Sequence, residues 1–128
     1  MYRIDKYNVL VDIQLNNGIY IFDNESGLGK TRLTKLFKKY QAYGEPVVAY
    51  TYNDKLIGVD IASVLNPQKY KVILLDRYDM YEGDGAELIL KCAENSIILI
   101  DCKNDFSVTV DDEWCTINME KDKLEVIA

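Results

Sequence analysis

Ile19-Tyr20-Ile21-Phe22-Asp23-Asn24-Glu25-Ser26-Gly27-Leu28-Gly29-Lys30-Thr31-Arg32-Leu33 is the stretch on which the reading of the fold turns. Ile19–Phe22 is apolar but too short for a helix, and reads as a short strand. From Lys30 to Tyr43 the period changes. Leu33, Leu36, Phe37 and Tyr40 follow the i, i+3, i+4, i+7 rule of one helix face, and Gly44 stands where a helix stops. Between strand and helix lies a polar turn with two glycines. Such a turn can aim backbone N–H groups, together with the positive end of the helix dipole, at one point. That point would suit an anion.

The turn Asn24-Glu25-Ser26-Gly27-Leu28-Gly29-Lys30-Thr31 matches the phosphate-loop pattern G-x-x-x-x-G-K-[ST] at every specified position but the first, where Asn24 replaces glycine. Asn is the non-glycine residue that best tolerates left-handed geometry, so the substitution is compatible with the turn. Gly27 and Gly29 carry no Cβ and let the main chain approach a phosphate closely. Lys30 can set its ammonium against the β and γ phosphates, and Thr31 can offer a hydroxyl to Mg²⁺. Residues Asn24 to Arg32 are therefore the expected binding segment. A tight strand-to-helix turn that needs glycine for geometry alone is the competing explanation. A dinucleotide fingerprint would require glycine where Arg32 stands.

Beyond the helix, Pro46–Tyr52 is apolar and β-rich, and Leu56–Leu65 reads as a weaker helix stopped by Asn66-Pro67. The continuous run Val72-Ile73-Leu74-Leu75 suits a strand buried on both faces of a parallel sheet, and it ends in Asp76. A carboxylate there can hold Mg²⁺ through water, beside Thr31. Asp79 lies just past the strand end, where it could polarise an attacking water, although a solvated loop carboxylate is the commoner case. Ala86–Ala93 reads as a helix. Ile97-Ile98-Leu99-Ile100-Asp101 is a second apolar run ending in an acid, and it competes with Asp76 for the metal. Asp76 is preferred, which leaves Asp101, Lys103 or Asn104 to sense the γ phosphate.

On the other side of the quoted stretch, Val9, Val11, Ile13 and Leu15 alternate onto one face, and Asn16-Asn17-Gly18 is a turn signal. Towards the other end, Phe106–Val110, Trp114–Met119 and Leu124–Ile127 read as short strands of an antiparallel meander. Trp114 is expected in the core and Asp111-Asp112-Glu113 in a hairpin turn. Alternating strands and helices in the centre imply an α/β fold with a mostly parallel central sheet covered by helices, and antiparallel additions at the N- and C-terminal ends. Residues 1–128 form a single domain on this reading, without repeats or linkers.

Over about residues 8–105 the chain resembles a P-loop NTPase. The extra strand between the loop and Asp76 is similar to the ATPase branch that includes the ABC, AAA+ and STAND groups, in which the loop strand and the Asp strand are not adjacent. Asp76-Arg77-Tyr78-Asp79 resembles the STAND spacing of the two acids. The resemblance implies a three-layer fold, ATP and Mg²⁺ as cofactors, Lys30 as phosphate clamp, Thr31 and Asp76 as metal partners, and Asp79 as orienter of water. Arg77 occupies the position where ABC and AAA+ proteins usually carry Glu. The first loop glycine, an ABC signature and an AAA+ lid are absent.

Composition narrows the alternatives. Fifteen Lys and Arg against 21 Asp and Glu give a net charge of −6, a poor balance for tracking a phosphate backbone, so direct nucleic-acid contact is disfavoured. Histidine is absent, which removes histidine triads and histidine-ligated zinc. Cys92, Cys102 and Cys115 have no CxxC spacing and are expected as free thiols of a cytoplasmic protein. No segment has the 18 or more apolar residues of a membrane span, and the N-terminal residues do not form a signal peptide. Three functions stay open: an ATP-binding domain with slow hydrolysis, completed by a protein partner or a second copy; a small-molecule kinase; and a degenerate loop fold acting only as an interaction module. A kinase needs an Arg-rich lid that the chain lacks.

Overall fold

The computed structural model describes residues 1–23, 28–66, 68–80, 86–102 and 113–128, with the side chains of Leu28 and Asp79 excepted. Along the chain run β1 (Tyr2–Lys6), β2 (Val9–Ile13), β3 (Gly18–Phe22), α1 (Leu28–Ala42), β4 (Val47–Tyr50), α2 (Tyr52–Leu56), α3 (Ile61–Val64), β5 (Val72–Leu75), a 3₁₀ turn (Tyr78–Met80), α4 (Ala86–Cys92), β6 (Ile97–Ile100), β7 (Glu113–Met119) and β8 (Lys123–Ile127).

All eight strands join one sheet in the order β1-β2-β8-β7-β3-β6-β5-β4. The pairs β3–β6, β3–β7, β4–β5, β5–β6 and β2–β8 are parallel, and β1–β2 and β7–β8 are antiparallel. The strands β4, β5 and β6 are buried at every position, because they are covered on both faces. In β2 and β8 only alternate residues are buried: Val9, Val11 and Ile13, then Leu124 and Val126. Their apolar faces share one core with Leu33, Phe37 and Tyr40 of α1. Those three α1 side chains are fully buried, each worth roughly 1.5–3 kcal/mol. A second core on the opposite face joins Ile61 and Val64 of α3 and Ile89 and Cys92 of α4 to β3, β4, β5 and β6.

This architecture corrects the expected three-layer P-loop NTPase-like α/β fold with a mostly parallel central sheet. The sheet is mixed and curls into a half-barrel, and strands outweigh helices. Only α1 is long. The second face carries α3 and α4, of four and seven residues, and neither reaches β1, β2, β7 or β8. The physical reason lies in the alternating strands at the two ends. Each has a single apolar face, and the nearest apolar surface left to cover it is the α1 stripe. The sheet therefore extends past β3 and curls towards α1 instead of ending in separate antiparallel appendages.

Other expectations change with it. The N-terminal segment is a strand, β1, closed onto β2 by Tyr7 and Asn8 with φ of 58° and 60°. Leu56–Leu65 is not one helix: Gly58, with φ of 89°, separates α2 from α3. Trp114 is 57% exposed rather than in the core, and Glu113 opens β7 instead of sitting in a turn. Phe106–Val110, Asp111 and Asp112 fall outside the described residues. Among those described, no helix is long and apolar enough to cross a membrane.

Candidate functional site

Parallel strands end together, so β3, β5 and β6 bring their carboxyl ends to one edge of the sheet. Ile100 is in register with Ile21 on one side and Leu75 on the other. The next residues, Phe22, Asp101 and Asp76, therefore sit at one level, with β6 between β3 and β5. The ladder runs on past the strands. Asp101 N–H donates to the Leu75 carbonyl (2.9 Å), and Asp76 N–H to the Tyr50 carbonyl (2.9 Å). Tyr78 N–H then turns back to the Asp101 carbonyl (2.8 Å). That return needs the chain to reverse at Arg77, whose φ is 51°. Left-handed backbone in a residue this bulky is uncommon and costs roughly 1–3 kcal/mol. Here it fixes the two acids side by side.

Lys30 lies in the first turn of α1, which has no acidic residue of its own. Its Nζ is 2.8 Å from Asp101 Oδ1, with side chains 21% and 9% exposed. The pair neutralises what would otherwise be a positive helix start. Asp76 is hydrogen-bonded to Asp101. Burial first, then that bond and the charge of Asp101, push the Asp76 carboxyl up to about 6, against the pull of Arg77 and Lys30. Lys30, Asp101 and Asp76 thus form one chain of contacts, in which a proton on Asp76, when it is bound, joins the two acids. A pKa of about 6 leaves Asp76 roughly nine-tenths ionised at pH 7. The three groups then carry one net negative charge at the lip of the sheet.

The expected site residues fall as follows. Asn24, Glu25, Ser26 and Gly27 are outside the described residues, as are Lys103 and Asn104. Leu28 is the first residue of α1. Gly29 is buried, and a Cβ there would stand 2.8 Å from Ile117 Cγ2, so close packing of α1 on β7 already requires glycine. Thr31 is exposed on the first turn. Arg32 points away from the acids: its guanidinium donates to the carbonyls of Glu120 and Lys121, 2.9 Å each, in the β7–β8 turn. The backbone of Asp79 belongs to the 3₁₀ turn after β5.

Two residues escaped the sequence reading. Asp23, at the end of β3, accepts from the Thr116 hydroxyl, and its N–H donates to the Cys115 carbonyl at 3.0 Å. It ties the start of the loop to β7. Arg77, singled out there only for the Glu it replaces, is the other in its backbone role, since an arginine side chain gives no signal of a positive φ. An acid directly after an apolar strand was the available signal for Asp23.

No protein-family model, curated protein or solved structure matches this chain. The chemistry of the site must therefore be argued from its own groups. Among the described residues no set of three or more His, Cys, Asp or Glu converges to hold a metal. Two adjacent carboxylates do fit a hard divalent cation that keeps several waters and takes further oxygens from a phosphate. Lys30, on its flexible stem, can leave Asp101 for a phosphate oxygen next to the helix start.

Proposed function

We propose that this protein binds a nucleoside triphosphate, ATP, together with Mg²⁺, at the carboxyl edge of β3, β6 and β5, and hydrolyses it slowly. The observation that carries the reading is the Lys30–Asp101–Asp76 chain of contacts at the first turn of α1, on the sequence Gly29-Lys30-Thr31. When bound, Mg²⁺ would neutralise charge on the phosphates and position them. Lys30 clamps phosphate, having exchanged Asp101 for it. Asp76, mostly ionised at pH 7, would with the Thr31 hydroxyl hold the cation, and would lose its remaining proton on doing so. Asp101, released from Lys30, faces the terminal phosphate from the neighbouring strand. Asp79 orients water. Arg32 is engaged in the β7–β8 turn and Arg3 lies on the far edge strand, which leaves Arg77, next to Asp76, as the arginine of this chain near the site; slow turnover follows if a partner must supply further transition-state charge. The setting is the cytoplasm, which suits three free thiols.

A second reading is a non-hydrolysing interaction module. It is favoured by Gly29, which packing against Ile117 explains without any ligand. Calorimetric titration of ATP with Mg²⁺ into the wild type and Lys30→Ala separates the two. The first reading expects binding to the wild type, at least tenfold weaker binding to the variant, and proton release near pH 6 from Asp76. A wild type that takes up no ATP at any Mg²⁺ concentration sinks it and leaves the module.

A further inference from the structure

The outer edge of β1 is written so that it complements itself. Leu10 N–H donates to the Asp122 carbonyl and Gln14 N–H to the Val126 carbonyl, 2.9 Å each. The even-numbered residues of β2 therefore bond towards β8, and Val9, Val11 and Ile13 bond towards β1. Their register partners are Lys6, Ile4 and Tyr2. In an antiparallel ladder bonded and non-bonded pairs alternate, so the N–H and C=O groups of Arg3 and Asp5 point outward from the sheet. β2 is the sole sheet neighbour of β1 among the described residues. Among the described residues nothing hydrogen-bonds those outward groups. Arg3 and Asp5 are exposed, whereas Ile4 is buried, and Tyr2 and Lys6 reach Glu45 from the inner face.

We propose that β1 pairs antiparallel with β1 of a second copy of this chain, about a two-fold axis through Ile4. This register sets the outward groups of Arg3 against those of the partner copy's Asp5, and the reverse, closing two bonded pairs and four backbone hydrogen bonds. It also places opposite charges directly across the junction twice, an arrangement that stabilises a strand pair. Centring on Arg3 or on Asp5 would oppose like charges, and a shift by one residue would oppose outward groups to inward ones. Edge strands are commonly blunted by charged side chains, Lys above all. Here the signs alternate, which excludes other registers while permitting this one. The result is an isologous dimer with one continuous sheet. A five-residue edge buries far less than the roughly 1,600 Å² of a standard interface, so the dimer is weak and grows with concentration.

Sedimentation equilibrium over rising concentration tests this on four proteins: wild type, Arg3→Asp, Asp5→Arg, and the double exchange. The wild type is expected to dimerise reversibly. Each single exchange puts two like-charge pairs at the junction and should weaken dimerisation at least tenfold; the double exchange should restore it. Amide exchange gives a second readout that needs no variant. The Arg3 and Asp5 amides should gain protection as concentration rises. A wild type still monomeric at ~1 mM, where a millimolar association would be half formed, overturns the proposal and leaves the edge to a strand of another protein. So does a dimer indifferent to both single exchanges, or one in which those amides stay unprotected.

Discussion

Replacing Asp76 by Asn should stabilise the protein above pH 6 and leave it almost unchanged near pH 4. The carboxyl is raised from 3.8 to about 6 on folding, chiefly by burial and then by Asp101. Between those values the folded chain binds the proton and the unfolded chain does not. The unfolded state therefore binds fewer protons, and stability falls as pH rises through the window. Below 3.8 both states are protonated and nothing is lost. Above 6 the loss is complete. At about 1.4 kcal/mol per unit, and discounted for solvent screening of a partly exposed carboxylate, the ionised form costs on the order of 1–2 kcal/mol. Asn cannot ionise, yet its amide can donate to Asp101 as the protonated acid does. The expected gain is thus about 1–2 kcal/mol at pH 8, or roughly 5 °C in melting temperature for a chain of this size. Urea denaturation of both proteins at pH 4 and pH 8 measures it. A variant no more stable at pH 8, or a difference independent of pH, would refute the argument. The same variant should lose the Mg²⁺ dependence of ATP binding.

Lys30→Ala removes the cation from a mostly buried Asp101 and should cost about 2 kcal/mol, between the values for exposed and fully buried pairs. It should also move Asp76 further up, since Lys30 now holds it down; carboxyl NMR titration that finds Asp76 unmoved contradicts the contact chain. Gly29→Ala should destabilise by about 1 kcal/mol net, because crowding against Ile117 exceeds the roughly 1 kcal/mol of helix propensity gained. Combining it with Ile117→Ala should show favourable coupling in a double-mutant cycle, and additivity would rule the crowding out. Tyr40→Phe should be neutral or stabilising by about 1 kcal/mol, as among the described residues nothing partners the buried Tyr40 hydroxyl; a loss above that in thermal melts would mean the hydroxyl is satisfied.

How far the fold could be read depended on what each residue pattern encodes. The runs Val72–Leu75 and Ile97–Ile100 specify strands buried on both faces, and both form with all residues buried. The stripe of α1 was legible for the same reason: Leu33, Phe37 and Tyr40 return to one face at helical spacing. Strand β1 was not, because Arg3, Asp5 and Lys6 leave Ile4 as its only buried side chain. Pairing partners were not legible either. Alternation in β2 and β8 says that one face is covered but not by what, and it is equally satisfied by a local hairpin or by a parallel pair of strands distant in sequence. The parallel contact Val11–Leu124 joins opposite ends of the chain, and it converts expected appendages into one curled sheet. Trp114 fails by the same logic. Its type favours burial, but strand parity turns it outward while Cys115 faces the core.

At the site, residue types were legible and their partnerships were not. An acid after each apolar run marks Asp76 and Asp101 equally, so the sequence could rank them only by the order of strands it assumed. Register decides more finely. Because β6 stands between β3 and β5, Asp101 is the acid within reach of Lys30, and Asp76 meets that lysine through it. The consequence is a division of labour between two chemically identical side chains. Asp101 is paired with the ammonium at 2.8 Å, whereas Asp76 carries the adjustable proton. Any cation or phosphate entering here must therefore disturb both at once: drawing Lys30 away uncovers the charge on Asp101, which raises the cost of ionising Asp76 unless positive charge arrives with the phosphate. Binding of an anion alone is opposed by this arrangement, and joint binding of anion and divalent cation is favoured. ATP without Mg²⁺ should accordingly bind at least tenfold more weakly than the pair, a margin that vanishes in Asp76→Asn. Equal affinity with and without Mg²⁺ in the wild type would show that the two acids do not act as this coupled gate.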